Sequence, residues 1–137
     1  MSMRQVAQEF FEACETGKGW SVCNQWCQDG ATFSAQADAM ADITTLEAYV
    51  EWMKGLLVPI PNGRYELSSF GVDEERGTVV AAAVFHGTHT VDAGSGAPTG
   101  KSLAADYCYV MHFDGDKINH MTKVWNDVKS LQQLGWA

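Results

Sequence analysis

The chain has 137 residues, the length of one ordinary domain, and its 46% apolar and 19% charged residues match a globular fold and exclude a largely disordered chain. A formal net charge of −8, with nine Lys and Arg of which no two are adjacent, excludes a nucleic-acid surface, because phosphate binding needs clustered cations. The longest strongly apolar stretches, such as Thr78 to Phe85, fall far short of the roughly 20 residues that cross a bilayer, so no membrane partner is expected.

The first twenty residues read as an amphipathic helix. Val6, Phe10 and Cys14, with Ala7 and Phe11, form its apolar stripe, while Gln5, Gln8, Glu9, Glu12 and Glu15 fall on the wetter side. These polar residues also break up any signal-peptide core, so the expectation is a cytoplasmic protein. Gly17 and Gly19 stop the helix. A second short helix runs from about Ser21 to Asp29-Gly30, with Trp20, Val22, Cys23, Trp26 and Cys27 on its apolar face. Cys23 and Cys27 have a metal-like spacing, but no second pair completes a zinc site, and a cytosolic chain keeps its thiols reduced. The four cysteines therefore read as small buried apolar residues, and no metal is expected.

Ala31 to Ser34 is a short strand, and a third helix spans Thr44 to Val58. Thr44 or Thr45 caps it, with Glu47 at capping-box spacing from Thr44, and Pro59 and Pro61 end it. Leu46, Tyr49, Val50, Met53, Leu56 and Leu57 are its apolar face. From Arg64 the period changes to that of strands: Arg64 to Asp73, Thr78 to Val91, Ser102 to Phe113 and Lys117 to Val128. Asp114-Gly115-Asp116 joins the last two as a hairpin, and a loop rich in Gly, Ser and Pro covers Asp92 to Gly100. Helices followed by a meander of long strands define a single α+β domain over 1–137. Such strands, interrupted by Gly, bend, and helices laid on the concave face enclose a pocket.

Few titratable residues fall within the apolar strands: His86, His89, Asp106, His112, His120, Lys123 and Asp127. A regular two-residue hairpin sets Cys108 opposite Lys123 and Asp106 opposite Trp125, which places Asp106, Lys123, Trp125 and Asp127 on one face. That face is either a polar-floored pocket or a wet exterior. His89, at a strand end beside the loop, suits proton transfer near neutral pH; its plain alternative is a histidine hydrogen-bonded at a sheet edge. His86 shares its face only through a bulge at Gly87. His112 and His120 flank the hairpin as surface residues. Asp106 is either a desolvated general base or a solvent-facing partner of Lys123, and Asp127 is either catalytic or a cap on the final turn from Ser130. Trp125, Trp26, Trp52 and Tyr49 are core or ligand-platform aromatics. Pro98-Thr99-Gly100-Lys101 lacks phosphate-loop spacing and leads into a strand.

Gly87-Thr88-His89-Thr90, Pro98-Thr99-Gly100-Lys101, Asp114-Gly115-Asp116-Lys117-Ile118 and Gln133-Leu134-Gly135-Trp136, in this order and spacing, resemble the SnoaL-like polyketide (ester) cyclase branch of the nuclear transport factor 2-like superfamily. The resemblance covers about the C-terminal half, and the helical N-terminal half agrees in pattern. It implies a cone-shaped α+β barrel that pairs as a homodimer through its outer sheet face. It also implies cofactor-free, metal-free acid–base chemistry, in which a carboxylate helped by a histidine removes the proton next to a carbonyl. His89 matches the family histidine, and Asp106 and Asp127 both stand where relatives carry a carboxylate. Val91 departs from the glycine that usually follows Thr-His-Thr. The expected ligand is a small, largely apolar carbonyl compound, with His89, Asp106 and Asp127 catalytic and Trp125, Tyr49, Trp52, Trp26 and His86 binding it. A non-catalytic binding module and an accessory dimeric domain are the alternatives, since this fold hosts many functions.

Overall fold

A computed structural model describes residues 1–94 and 96–137. Helix α1 spans Met3–Glu15 and starts with a reciprocal cap: the Ser2 hydroxyl accepts the Gln5 N–H at 3.2 Å, and the Gln5 side chain accepts the Ser2 N–H at 3.1 Å. Helix α2 is a single turn, Trp20–Cys23, continued by a 3₁₀ turn over Asn24–Trp26. The chain then enters strand β1, Cys27–Ala35, so the extended segment begins earlier than the sequence suggested. Helix α3, Leu46–Leu56, is capped by Thr45, whose hydroxyl accepts the Ala48 N–H, and this moves Glu47 out of the capping-box position.

Strands β2 (Arg64–Asp73), β3 (Thr78–Thr88), β4 (Ser102–Asp114) and β5 (Lys117–Trp125) form one sheet with β1, in the order β1-β5-β4-β3-β2. The β1–β5 pairing is parallel and the other pairings are antiparallel. The final segment is a full helix, α4 (Asp127–Leu134), longer than the expected turn. Asn126, not Asp127, caps it through the Lys129 N–H, and Gly135 closes it at φ 75°, where a Cβ would be strained.

This mixed, curved sheet with four helices is the expected α+β cone, and the sheet does not close on itself. The inner face carries Val79, Ala81, Ala83 and Phe85 of β3, Leu103, Ala105, Tyr107, Tyr109 and Met111 of β4, and Met121 and Lys123 of β5, all buried. Small residues on β3 leave room for the stripe of α1, which buries Val6, Ala7, Phe10, Phe11 and Cys14, and for α3, which buries Leu46, Tyr49, Val50 and Met53. Burial of a large apolar side chain contributes roughly 1.5–3 kcal/mol, so these two helix faces are what hold the cone shut. Gly87 lets β3 pass the Ile60 turn at close range, because a Cβ there would overlap the Ile60 side chain. Among the described residues, no helix is long and apolar enough to cross a membrane.

The β4–β5 register corrects the sequence reading. Next to the turn, Asp114 pairs with Lys117 and Phe113 with Ile118, as in the expected regular hairpin. His112 then pairs with His120, so Asn119 is an extra residue on β5. Beyond this bulge the register is displaced by one: Tyr109 faces Lys123, Tyr107 faces Trp125, and Cys108 faces Val124. A displacement of one exchanges the faces, so Lys123 and Trp125 share the interior with two tyrosines instead of sharing a surface with Asp106. By contrast, β3 and β4 pair without interruption from Thr78 to Thr88, with no bulge at Gly87. His86 therefore stays on the outer face, where its Nε2 lies 3.3 Å from Glu66.

Candidate active site

An apolar cavity of about 420 Å³ opens between α3, α4 and the inner sheet face. Trp52, Leu56, Pro59, Leu103, Trp125, Leu131, Leu134 and Trp136 line it, and Ser130 is its main polar wall residue. The Trp125 indole N–H donates to the Ser130 hydroxyl at 2.9 Å, which fixes the ring at the cavity wall. Trp52, Leu56, Leu103 and Trp125 also line a second, much smaller chamber of about 20 Å³ beneath it. Glu15, Tyr107 and Lys123 reach that inner chamber.

These three groups belong to one buried hydrogen-bonded chain. The Lys123 ammonium donates to the Tyr49 hydroxyl at 3.1 Å, and the Tyr49 hydroxyl meets that of Tyr109. Tyr109 donates to Glu15 Oε2 at 2.7 Å, and Tyr107 donates to Glu15 Oε1. Since Tyr109 spends its proton on Glu15, Tyr49 donates to Tyr109 and Lys123 donates to Tyr49, and the donor direction runs unbroken from amine to carboxylate. Glu15 is 1% exposed and Lys123 6% exposed, so neither charge has water to fall back on. Lys123 Nζ is also ringed by aromatic faces: Trp125 at 4.3 Å from the ring centroid, Trp52 at 5.0 Å, Tyr49 at 5.1 Å, Tyr107 at 5.6 Å and Tyr109 at 6.0 Å.

Burial dominates the ionisation of the chain. It pushes the Lys123 amine down to about 8, against the pull of Glu15, which favours the ammonium. Burial raises the Glu15 carboxyl, while the hydrogen bonds from Tyr107 and Tyr109 and the charge on Lys123 act in the opposite direction. Burial, with the Glu15 charge adding to it, lifts the phenols of Tyr49, Tyr107 and Tyr109, so they serve as proton donors. The thiols of Cys23 and Cys27 are pushed up to about 12 by burial, and all four cysteines are free. No group of three or more His, Cys, Asp or Glu converges on a metal-sized space among the described residues.

Of the residues singled out from sequence, Tyr49, Trp52 and Trp125 come together here. His89 is 1% exposed but stands apart. Its Nδ1 accepts both the Thr99 N–H and the Trp136 indole N–H at 3.1 Å, and its Nε2 donates to the Val91 carbonyl at 3.0 Å. That pattern fixes the neutral ring with its proton on Nε2 and leaves no ring nitrogen free. The Asp127 carboxylate is buried and accepts the Ala39 N–H at 2.9 Å, which holds a residue of the cavity wall. Asp106 is exposed on the outer face. Trp26 donates its indole N–H to Glu9 at 3.0 Å, away from the cavity.

Glu15, Tyr107 and Tyr109 were not among the sequence candidates. The signal for Glu15 lay in the i, i+4 series Ala7, Phe11, Glu15, which continues the apolar stripe by one more turn. A regular hairpin would set Tyr107 and Tyr109 on the face opposite Lys123, and the Asn119 bulge brings all three onto one face.

A cone of α+β build, with an apolar cavity that shares wall residues with a small chamber reached by a buried polar chain, defines the class of small cavity-bearing cone folds. Within that class the chain belongs to the SnoaL-like polyketide cyclase family, whose sequence profile matches residues 5–134. Similar solved structures include IdmH of Streptomyces antibioticus, provisionally called a polyketide cyclase, at 14% identity and TM-score 0.78, covering 98% of this chain and 99% of that one. AclR of Streptomyces galilaeus, provisionally called a hydroxylase, is 19% identical with TM-score 0.76, covering 98% of this chain and 85% of its own. A Bacillus subtilis protein provisionally called an isomerase is 15% identical with TM-score 0.74, over 100% and 98% of the two chains. At these identities the likeness is one of fold. No curated protein matches the chain.

Proposed function

We propose that the chain is a cofactor-independent enzyme of cyclase or isomerase type, using acid–base chemistry on a small, largely apolar carbonyl compound. The observation that carries this reading is the hydrogen-bonded chain Lys123–Tyr49–Tyr109–Glu15–Tyr107, of which Lys123, Glu15 and Tyr107 line the small chamber that shares walls with the apolar cavity. A ligand whose apolar body fills the outer cavity sets a carbonyl-sized head in the inner chamber, which has room for about one water. There a proton next to the carbonyl passes to one end of the chain, and a phenol or the amine supplies a proton to the developing oxyanion. Desolvation matches both ends to the task by bringing the amine down and the carboxyl up toward neutral pH.

In this reading the acid–base groups are those of the chain. Asp127 fixes the wall at Ala39, His89 fixes the loop and Trp136 around the mouth, and Asp106 takes no part. The test is deuterium exchange at the carbon next to the carbonyl of a set of apolar ketones, followed by proton NMR in heavy water. Exchange faster than the solvent background, and lost in Glu15→Gln, is the expected result. Saturable quenching of Trp52 and Trp125 fluorescence by the same ketones, with exchange at the background rate, would replace the enzyme reading with that of a binding module.

A further inference from the structure

The Lys123 side chain has a setting that proton transfer alone does not require. Its amine is one of the groups that reach the inner chamber, and it makes a single hydrogen bond to a side chain, that to Tyr49. The rest of its surroundings are ring faces, from Trp125 at 4.3 Å to Tyr109 at 6.0 Å. A cage of ring faces stabilises the ammonium without accepting its protons in hydrogen bonds, and offers no donor that would tie up the lone pair once the amine is uncharged. A second phenol, Tyr107, and the Glu15 carboxylate line the same chamber.

We propose that Lys123 is a nucleophile, which captures the carbonyl carbon of the ligand as a covalent iminium inside this cage. The inference rests on the carbonyl reading of the cavity and adds a bond to it. The uncharged amine lone pair forms the C–N bond, and the carbonyl π pair moves to oxygen. That oxygen takes a proton from the phenol side of the chain, the nitrogen gives up one of its own, and a neutral carbinolamine results. A second proton then reaches the hydroxyl, the C–O bond breaks, water leaves, and the nitrogen pair completes the C=N⁺ bond. In sum, amine, carbonyl and one proton become iminium and one water. The cation replaces the ammonium among the same rings and opposite the same Glu15 charge, so the site that tolerates one tolerates the other. Loss of the neighbouring C–H proton to Glu15 turns the iminium into an enamine, the carbon nucleophile that a ring-closing condensation needs, and hydrolysis returns the amine.

Desolvation supports the step without carrying it. With the amine down to about 8, a usable fraction is uncharged at neutral pH, which is not so for an exposed lysine at roughly 10.4.

The experiment uses the full chain and an apolar β-diketone, benzoylacetone, which condenses with an amine to a stable conjugated enaminone. The expected result is one adduct per chain whose mass is that of the diketone less one water, with a new near-ultraviolet absorption. Peptide mapping places it on Lys123, and its formation rate rises with pH and levels off near 8. Lys123→Arg, which keeps the charge without a free amine, abolishes that adduct. Mapping on the wild-type chain decides the matter even if the variant folds poorly. No adduct, or adducts only on exposed lysines such as Lys18 and Lys54 with rates still rising above pH 9, would overturn the proposal. Ketone exchange without an adduct would remove the covalent step and leave the acid–base reading standing. An adduct on Lys123 without any ketone exchange would support the covalent step and remove that reading.

Discussion

Two buried polar sites lie near the same cavity, and they differ in how fully they are closed. At His89 every ring nitrogen is engaged, by Thr99 and Trp136 on one side and Val91 on the other. The imidazole is a rivet that joins the loop after β3 to the C-terminal Trp136. At Lys123 and Glu15 the polar atoms are also satisfied, since no buried side-chain polar atom among the described residues lacks a partner. Yet there the amine, a phenol and the carboxylate all face a chamber. Burial and a titratable group are thus common to both sites. What separates the two sites is that only the second borders an open space.

The largest effect expected from breaking this contrast is that of Glu15→Ala. It leaves Tyr107 and Tyr109 without their acceptor and the Lys123 ammonium without the opposite charge that favours it, a loss of about 3–5 kcal/mol, read as a fall in melting temperature of roughly 10 °C or more. Next comes the pH dependence of stability. The Lys123 amine lies at about 8 in the folded chain and 10.5 in the unfolded one, so between these values the unfolded chain binds the extra proton. Stability therefore rises with pH across that window, by up to roughly 3 kcal/mol from this group, and urea titrations of Lys123→Met should lack the rise. His89→Ala should cost about 2 kcal/mol, with faster hydrogen exchange at the Thr99 amide, while ketone exchange persists. Asp106→Asn should change stability by less than about 0.5 kcal/mol and leave ketone exchange unaltered, as for any exposed residue outside both sites.

Much of the fold was legible because it depends on period and punctuation. β2 begins and ends at Arg64 and Asp73 as read, and the turn at Gly115 is where the Asp-Gly-Asp signal put it. The face of the last hairpin was not legible, because a single unpaired residue, Asn119, inverts it, and an asparagine without a neighbouring glycine gives no bulge signal. That one displacement moved Lys123 from a partner of Asp106 to the centre of an aromatic cage. Glu15 was misread for a different reason. Its carboxylate is buried by partners more than 90 positions away in the chain, Tyr107 and Tyr109, and the local helix pattern counts it as polar surface. The setting of His89 was not legible either, because it depends on which groups reach its two nitrogens, and those come from the loop and from Trp136.

The proposed working end of this protein is the Lys123–Glu15 chain. Its most direct test is the rate of deuterium exchange into 1-tetralone, an apolar ketone, measured side by side for wild type, Lys123→Met and Asp106→Asn. If that chain does the work, Asp106→Asn keeps the wild-type rate and Lys123→Met falls to the solvent background. The opposite pattern, with exchange lost in Asp106→Asn and kept in Lys123→Met, would contradict it.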